Sequence, residues 1–192
     1  MVRRGVFSFL AAIAGMTSTN GFAESPPIRR QFNPDSPIGV RNANAPLELR
    51  QLEFLIGDWK AAVVLHQPNG DVSYEARWRN IWIVDGYAIM QEWRDPYSTG
   101  AELRTYNSKT GRWEGRNYYA GWDTWTESSG AFVDGEFVID TKTIGPEGPR
   151  LSRERYFDIQ PGSFRMAATH STDGGKTWSA PTYEMACARL FE

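Results

Sequence analysis

The sequence predicts an all-β protein, an antiparallel up-and-down barrel of about 8–10 strands, closed or nearly closed, with a short N-terminal helix. Turn signals divide the chain after residue 59 into short segments at the spacing of strands. The chain is rich in rings, with 10 Phe, 8 Tyr and 8 Trp, and aromatic residues favour strands. No segment between the turns is long enough for a helical crossover between parallel strands. A long antiparallel meander tends to close because closure removes its exposed edges.

The first 23 residues have the pattern of a secretory signal peptide. Arg3 and Arg4 form a basic region, an apolar run extends from Val6 to Met16, and small residues at Gly21 and Ala23 precede the cleavage point. The run is shorter than the roughly 20 apolar residues that span a bilayer. We therefore expect a periplasmic or secreted protein without stable membrane insertion.

Two further parts follow the signal. Residues 24–45 are rich in Pro, Asn and Arg and have no hydrophobic period, which predicts an extended arm or linker. Residues 46–192 are expected to form the barrel domain.

A short helix is expected at the start of that domain, from Pro46 to Phe54. Leu52, Leu55 and Ile56 have the spacing of one helix face, and proline suits the first helical position. Gly57 then ends the helix.

Nine turn signals follow, each rich in the Gly, Pro, Asn and Asp that tight turns require. They delimit about ten segments of strand length. In chain order they are Pro68–Asp71, Asp85–Gly86, Asp95–Pro96, Asn107–Gly111, Gly121, Asp134–Gly135, Gly145–Pro149, Pro161–Gly162 and Asp173–Gly175.

The last of these turns lies in "STDGGKTW", Ser171 to Trp178. Asp173 can accept hydrogen bonds from the turn, Gly175 can adopt a left-handed conformation and Trp178 can fold back over the hairpin. The stretch matches the Asp-box hairpin of sialidase propellers. A propeller needs several copies, and one occurs here, so we interpret the motif as a stable turn.

The triplet Gly57-Asp58-Trp59 opens the first strand directly after the helix. With the strand meander, it resembles the calycin superfamily, and within it a lipocalin-like bacterial exported family of unknown function. The segments Glu92–Trp113 and His170–Trp178 add to the likeness. The resemblance implies a barrel whose closed end is plugged by the Trp, with an internal cavity and no defined reaction. Haem barrels of the superfamily use a His in the last strands, and "YEMACARLF" has none, so no cofactor is expected.

Alternation along the strands identifies side chains that could face such a cavity. An Arg there could anchor a carboxylate or hydroxyl group of a ligand, or it could pair with a buried Glu and serve only strand register. The ligand-binding candidates are Arg104, Tyr106, Trp113, Asn117, Tyr119, Arg155 and Met166. The candidates for acid–base chemistry are His170 and Glu92, with Arg104 or Arg155 as the partner of Glu92.

Composition argues against several classes of function. The chain has a formal net charge of −2 and no basic run, so nucleic acid is a poor partner. With two His and a single Cys, Cys187, neither a zinc site nor an intramolecular disulfide is expected. No Walker loop, dinucleotide fingerprint or Gly-x-Ser-x-Gly elbow occurs.

The sequence therefore favours an exported β-barrel that binds a small, largely apolar or aromatic molecule in its interior. The alternative is a small-molecule isomerase, cyclase or lyase that uses His170 or Glu92 in the same cavity. A third possibility is an interaction module whose arm, residues 24–45, adds a strand to a partner.

Overall fold

Ten antiparallel strands close into one barrel in the computed structural model, which describes residues 35–145 and 148–190. Each strand pairs with the next along the chain, and β1 pairs with β10, so no edge remains open. The predicted all-β, up-and-down closed barrel with a short N-terminal helix is confirmed. The strands are β1 (Gly57–Leu65), β2 (Val72–Ile83), β3 (Ala88–Arg94), β4 (Thr99–Asn107), β5 (Arg112–Tyr119), β6 (Thr126–Val133), β7 (Glu136–Gly145), β8 (Gly148–Gln160), β9 (Ser163–Ser171) and β10 (Tyr183–Arg189).

The predicted signal peptide, residues 1–23, lies outside the described residues, as does the first part of the arm. Residues 35–45 contact the hairpin between β2 and β3. Gly39 forms an isolated bridge with Trp82, and the Asn42 amide donates to the Gly86 carbonyl. Ala45 is buried. Within the described ranges, no helix has both the length and the apolar character that a membrane crossing requires.

The helix that precedes the barrel is a 3₁₀ helix, Leu47–Leu55, one residue later than predicted. Its buried residues, Leu49, Leu52 and Leu55, recur every third position. Because residues three apart align along a 3₁₀ helix, this spacing gives the helix one continuous apolar edge. That edge packs against the barrel core and plugs one end.

The Gly57–Trp59 segment anchors this plug. The fully buried indole of Trp59 donates to the Leu55 carbonyl, and the Arg189 guanidinium lies 4.3 Å from the centre of the same ring. Arg189 also donates to the carbonyls of Phe54 and Ile56, which joins the last strand to the end of the helix. Gly57 has a φ of +130°, and a Cβ there would lie 2.3 Å from Arg189 Nη1, so this position requires glycine.

The "STDGGKTW" stretch forms the predicted turn between β9 and β10. Asp173 Oδ1 accepts hydrogen bonds from the amides of Lys176 and Thr177, at 2.9 and 3.0 Å. Its carboxylate also accepts from the hydroxyls of Ser171 and Thr177. These bonds hold the pKa of Asp173 well below its usual range, the Thr177 hydroxyl contributing most.

Candidate functional site

The inner faces of the strands enclose a cavity of about 360 Å³ above the helical plug. It extends to the opposite end of the barrel, where Leu65, Asp95, Ser98 and Thr182 line it. One side of its wall is apolar and comes from β9 and β10, with Met166, Ala168 and Met185. The rings that line it are Tyr74, Trp78, Trp93, Tyr119, Tyr156 and Tyr183.

The other side of the interior is polar because two adjacent cross-strand rows carry polar side chains inward. Since directly paired residues of neighbouring strands point to the same face, each row forms a continuous band. The first row is Asn80, Gln91, Glu102, Asn117 and Thr126. The second row is Arg104, Gly115, Ser128, Thr141, Ser152 and His170.

A buried ion pair occupies the meeting point of the two rows. Arg104 Nη2 donates to Glu102 Oε2 at 2.8 Å, and the Ser128 hydroxyl donates to Glu102 Oε1 at 3.0 Å. Gly115 leaves room for this cluster, because a Cβ there would lie 2.5 Å from Ser128 Oγ and 2.6 Å from Glu102 Oε1. Burial is the largest single influence on Arg104 and opposes its charge, but Glu102, Tyr156 and Glu154 together raise the pKa of Arg104 above its ordinary value.

A second carboxylate, Glu154, faces the cavity from β8. The Tyr156 hydroxyl donates to Glu154 Oε2 at 2.6 Å, and Arg104 Nη2 approaches the same hydroxyl at 3.4 Å. Burial raises the pKa of Glu154, and Glu102 adds to the rise, while Arg104 and the Tyr156 hydrogen bond oppose it. Burial and Glu154 likewise raise the pKa of Tyr156, so this tyrosine stays protonated.

The guanidinium of Arg104 is less exposed to the cavity than the carboxylates of Glu102 and Glu154. Its side chain is 1% exposed, whereas that of Glu102 is 13% exposed and Glu154 is partly accessible. The rings of Phe137 and Tyr156 lie 5.6 and 5.7 Å from the guanidinium carbon. Arg104 Nε and Nη1 have no hydrogen-bond partner among the described residues.

His170 lies at the end of the second polar row and lines the cavity. Its Nδ1 is buried and lacks a hydrogen-bond partner in the part of the chain that the structure describes. Burial lowers the pKa of His170, and the charge of Arg150 lowers it further, so the imidazole is neutral at pH 7.

The structure brings together most of the residues predicted from alternation. Arg104, Asn117, Tyr119, Met166 and His170 all line the cavity. The Asn117 amide oxygen accepts a hydrogen bond from the Thr126 hydroxyl.

Tyr106 and Trp113 also face inward, but they lie at the closed end. Their ring centres are 5.8 Å apart, and the Trp113 indole donates to Gln51 of the helix at 3.0 Å. Trp113 is fully buried. These two rings form part of the plug below the cavity, and their geometry does not support the predicted role in ligand binding.

The prediction that Glu92 and Arg155 face inward is wrong. Glu92 lies on the outer surface with its side chain 42% exposed and paired with Arg94. Arg155 is also outside and pairs with Glu136 at 2.6 Å. Both strands alternate the opposite way from the prediction: Gln91 and Trp93 point inward on β3, and Glu154 and Tyr156 point inward on β8.

Alternation therefore missed the central acid of the site and its tyrosine. The sequence held a partial signal, since Glu154 and Tyr156 alternate with the basic Arg153 and Arg155. A polar interior reverses the usual pattern of apolar inside and polar outside. Across the described residues, no group of three or more His, Cys, Asp or Glu side chains is arranged to hold a metal ion.

A closed ten-stranded up-and-down barrel plugged by a short helix is a lipocalin-like fold. Among solved structures it is similar to the S-type phycobiliprotein lyase CPES from Guillardia theta, with a TM-score of 0.51 and 12% sequence identity. The match covers 74% of this chain and 92% of that chain. At this identity the likeness concerns the fold alone. No protein-family model and no curated protein matches the sequence.

Proposed function

We propose that the protein is an exported barrel that binds one small, largely apolar molecule inside its cavity. The observation that carries the proposal is the cavity itself, about 360 Å³ in volume, with a ring-rich wall and an end that the helix does not plug. This volume lies in the range of small-molecule pockets. Trp78 and Trp93 of β2 and β3, with Met166 and Met185 of β9 and β10, supply apolar contact area.

Export rests on the N-terminal pattern of residues 1–23. Expression of the full chain in a Gram-negative host, followed by fractionation and N-terminal sequencing, tests it. The expected product begins at Glu24 and lies in the periplasm or the medium. A product in the cytoplasm that retains Met1 contradicts the proposal of export and leaves the cavity proposal untouched.

Binding can be tested with N-phenyl-1-naphthylamine, a neutral apolar reporter whose fluorescence rises in a dry pocket. Ala168 lines the cavity, and its neighbour Ala167 lies on the other face of β9. Ala168→Trp fills part of the cavity and should abolish the fluorescence rise. Ala167→Trp adds the same ring outside and should leave the rise unchanged. Equal binding by both variants, or no binding by the unmodified protein, contradicts a role for the cavity.

A second candidate function is proton-transfer catalysis by an isomerase, cyclase or lyase. The hydrogen-bonded pair Tyr156 and Glu154 inside the cavity favours it, and His170 lies on the same wall. The structural neighbour is by name a lyase, which supports the compatibility of such a barrel with catalysis. Glu154 replaces Glu92 as the carboxylate in this hypothesis. A turnover that Glu154→Gln abolishes while the reporter still binds would establish an enzyme.

A further inference from the structure

The charges that line the cavity are mostly negative. Among the described residues that line it, Asp95, Glu102 and Glu154 are acidic, and Arg104 alone is cationic because His170 is neutral at pH 7. Arg104 pairs with Glu102, so Glu154 lacks a full counter-charge. Tyr156 donates to Glu154, yet a carboxylate can accept several hydrogen bonds. A ligand that enters the cavity therefore meets a carboxylate with acceptor capacity to spare.

The position of Arg104 makes the cavity a poor site for an anion. Its guanidinium is almost fully buried, with the rings of Phe137 and Tyr156 beside it. A ligand carboxylate would meet Glu102 and Glu154 before it could reach this cation. A ligand carboxylate close to the carboxylates of Glu102 and Glu154 is repelled strongly, because little water is present to screen the charges.

The walls add a second feature that suits a cation. Trp78 and Trp93 line the cavity with their ring centres 5.9 Å apart and nearly perpendicular. Tyr74, on the same strand as Trp78, and Tyr183 of β10 also line it. Aromatic faces attract an ammonium group through the ring quadrupole, and they also bind an apolar ring.

Gln91 is an independent sign that a polar partner is missing. It is 4% exposed, it lines the cavity, and its Nε2 has no hydrogen-bond partner within the described residues. A buried amide rarely lacks partners in a complete structure. Because this Nε2 group is a donor, an acceptor oxygen on the ligand, separate from its ammonium group, would supply the missing partner.

We propose that the ligand is a small arylalkylamine, an organic cation whose ammonium group binds Glu154 and whose ring packs against Trp78 and Trp93. This inference rests on the proposed function, because it names the ligand class of the same cavity. The sequence suggests that an inward-facing arginine could bind a ligand carboxylate, whereas this inference gives the ligand a positive charge.

The experiment compares three probes of one shape by isothermal titration calorimetry with the purified protein near neutral pH. They are 4-phenylbutylamine, 4-phenylbutan-1-ol and 4-phenylbutyrate, which carry positive, zero and negative charge. We expect the amine to bind at least about tenfold more tightly than the alcohol, and the carboxylate to bind most weakly. A carboxylate that binds most tightly, or equal affinity for all three, overturns the inference.

Two variants locate the effect. Glu154→Gln keeps the shape of the side chain and should remove the preference for the amine. Glu92→Gln makes the same change on the outer surface and should leave the preference intact. If Glu154→Gln does not fold, as judged by thermal melting, the three probes on the unmodified protein still decide the question. If the alcohol binds, Ala168→Trp abolishes that binding, and the amine binds no more tightly than the alcohol, then this inference is wrong and the proposed function stands. If none of the three probes binds, the result contradicts the proposed function as well.

Discussion

The Tyr156 hydroxyl donates a 2.6 Å hydrogen bond to the carboxylate of Glu154 inside the barrel, beside the buried ion pair of Arg104 and Glu102. Four polar groups thus share one small volume at the wall of the cavity. We expect their protonation and packing to govern ligand binding in the cavity and the stability of the barrel, and four predictions test this arrangement and the turn at its rim.

Amine binding should strengthen as pH rises through the pKa of Glu154. Burial raises that pKa, so at low pH the free protein holds Glu154 protonated and without charge. A cation favours the ionised form, so binding releases a proton and affinity rises with pH until Glu154 is fully ionised. The ionisable groups facing Glu154 are Glu102, Arg104, Tyr119, Tyr156 and Tyr183. Calorimetry in buffers of different ionisation enthalpy measures the proton release, which Glu154→Gln should eliminate.

Replacement of Arg104 should destabilise the barrel strongly. Arg104→Met leaves the buried carboxylate of Glu102 without its cation, and loss of one partner of a buried pair costs about 3–5 kcal/mol. Urea unfolding monitored by tryptophan fluorescence measures the change. The matched control, Arg116→Met, breaks the exposed pair with Glu127 and should cost about 0–1 kcal/mol. Similar losses for both variants would show that the interior pair is well solvated.

A methyl group at Gly115 should disrupt the same cluster by crowding. Gly115→Ala forces its Cβ against Ser128 Oγ and Glu102 Oε1, and overpacking of this kind costs about 1–3 kcal/mol. The free energy of unfolding measures the loss. Addition of Ser128→Ala removes one of the two close contacts and should recover part of it. Strictly additive losses in the double variant would mean that the two residues do not compete for space.

The turn at Asp173 should lose its stabilising effect in acid. The folded-state pKa of Asp173 is depressed, so its contribution is complete above the unfolded value of about 3.9 and disappears as pH falls through the folded value. Asp173→Asn should therefore lower the melting temperature at pH 7, and the gap from the unmodified protein should narrow below pH 4. Asp123→Asn, an exposed change in the connection between β5 and β6, serves as control and should melt like the unmodified protein. A constant gap down to pH 2 would contradict the assignment.

The architecture could be predicted from residue patterns along the chain. Glycine, proline and asparagine at the nine turns mark the ends of strands through local backbone preferences, so the strand number and the antiparallel order followed without tertiary information. The resemblance carried by Gly57 and Trp59 likewise implied the plugged end, and in the structure Gly57 has a left-handed backbone and Trp59 is fully buried. These signals depend on neighbouring residues only, so they can be recognised in a single sequence.

Which side chains meet inside the barrel depends on long-range strand pairing, which residue patterns do not reveal. On β3 and β8 both faces carry apolar and polar residues, so alternation could not distinguish Glu92 from Gln91, or Arg155 from Glu154. The inner face is chosen by the register of the whole barrel, in which each strand fixes the orientation of its neighbours. Because Arg104 pairs with Glu102 and the Tyr156 hydroxyl donates to Glu154 there, the interior can hold polar groups that an isolated strand would turn toward water.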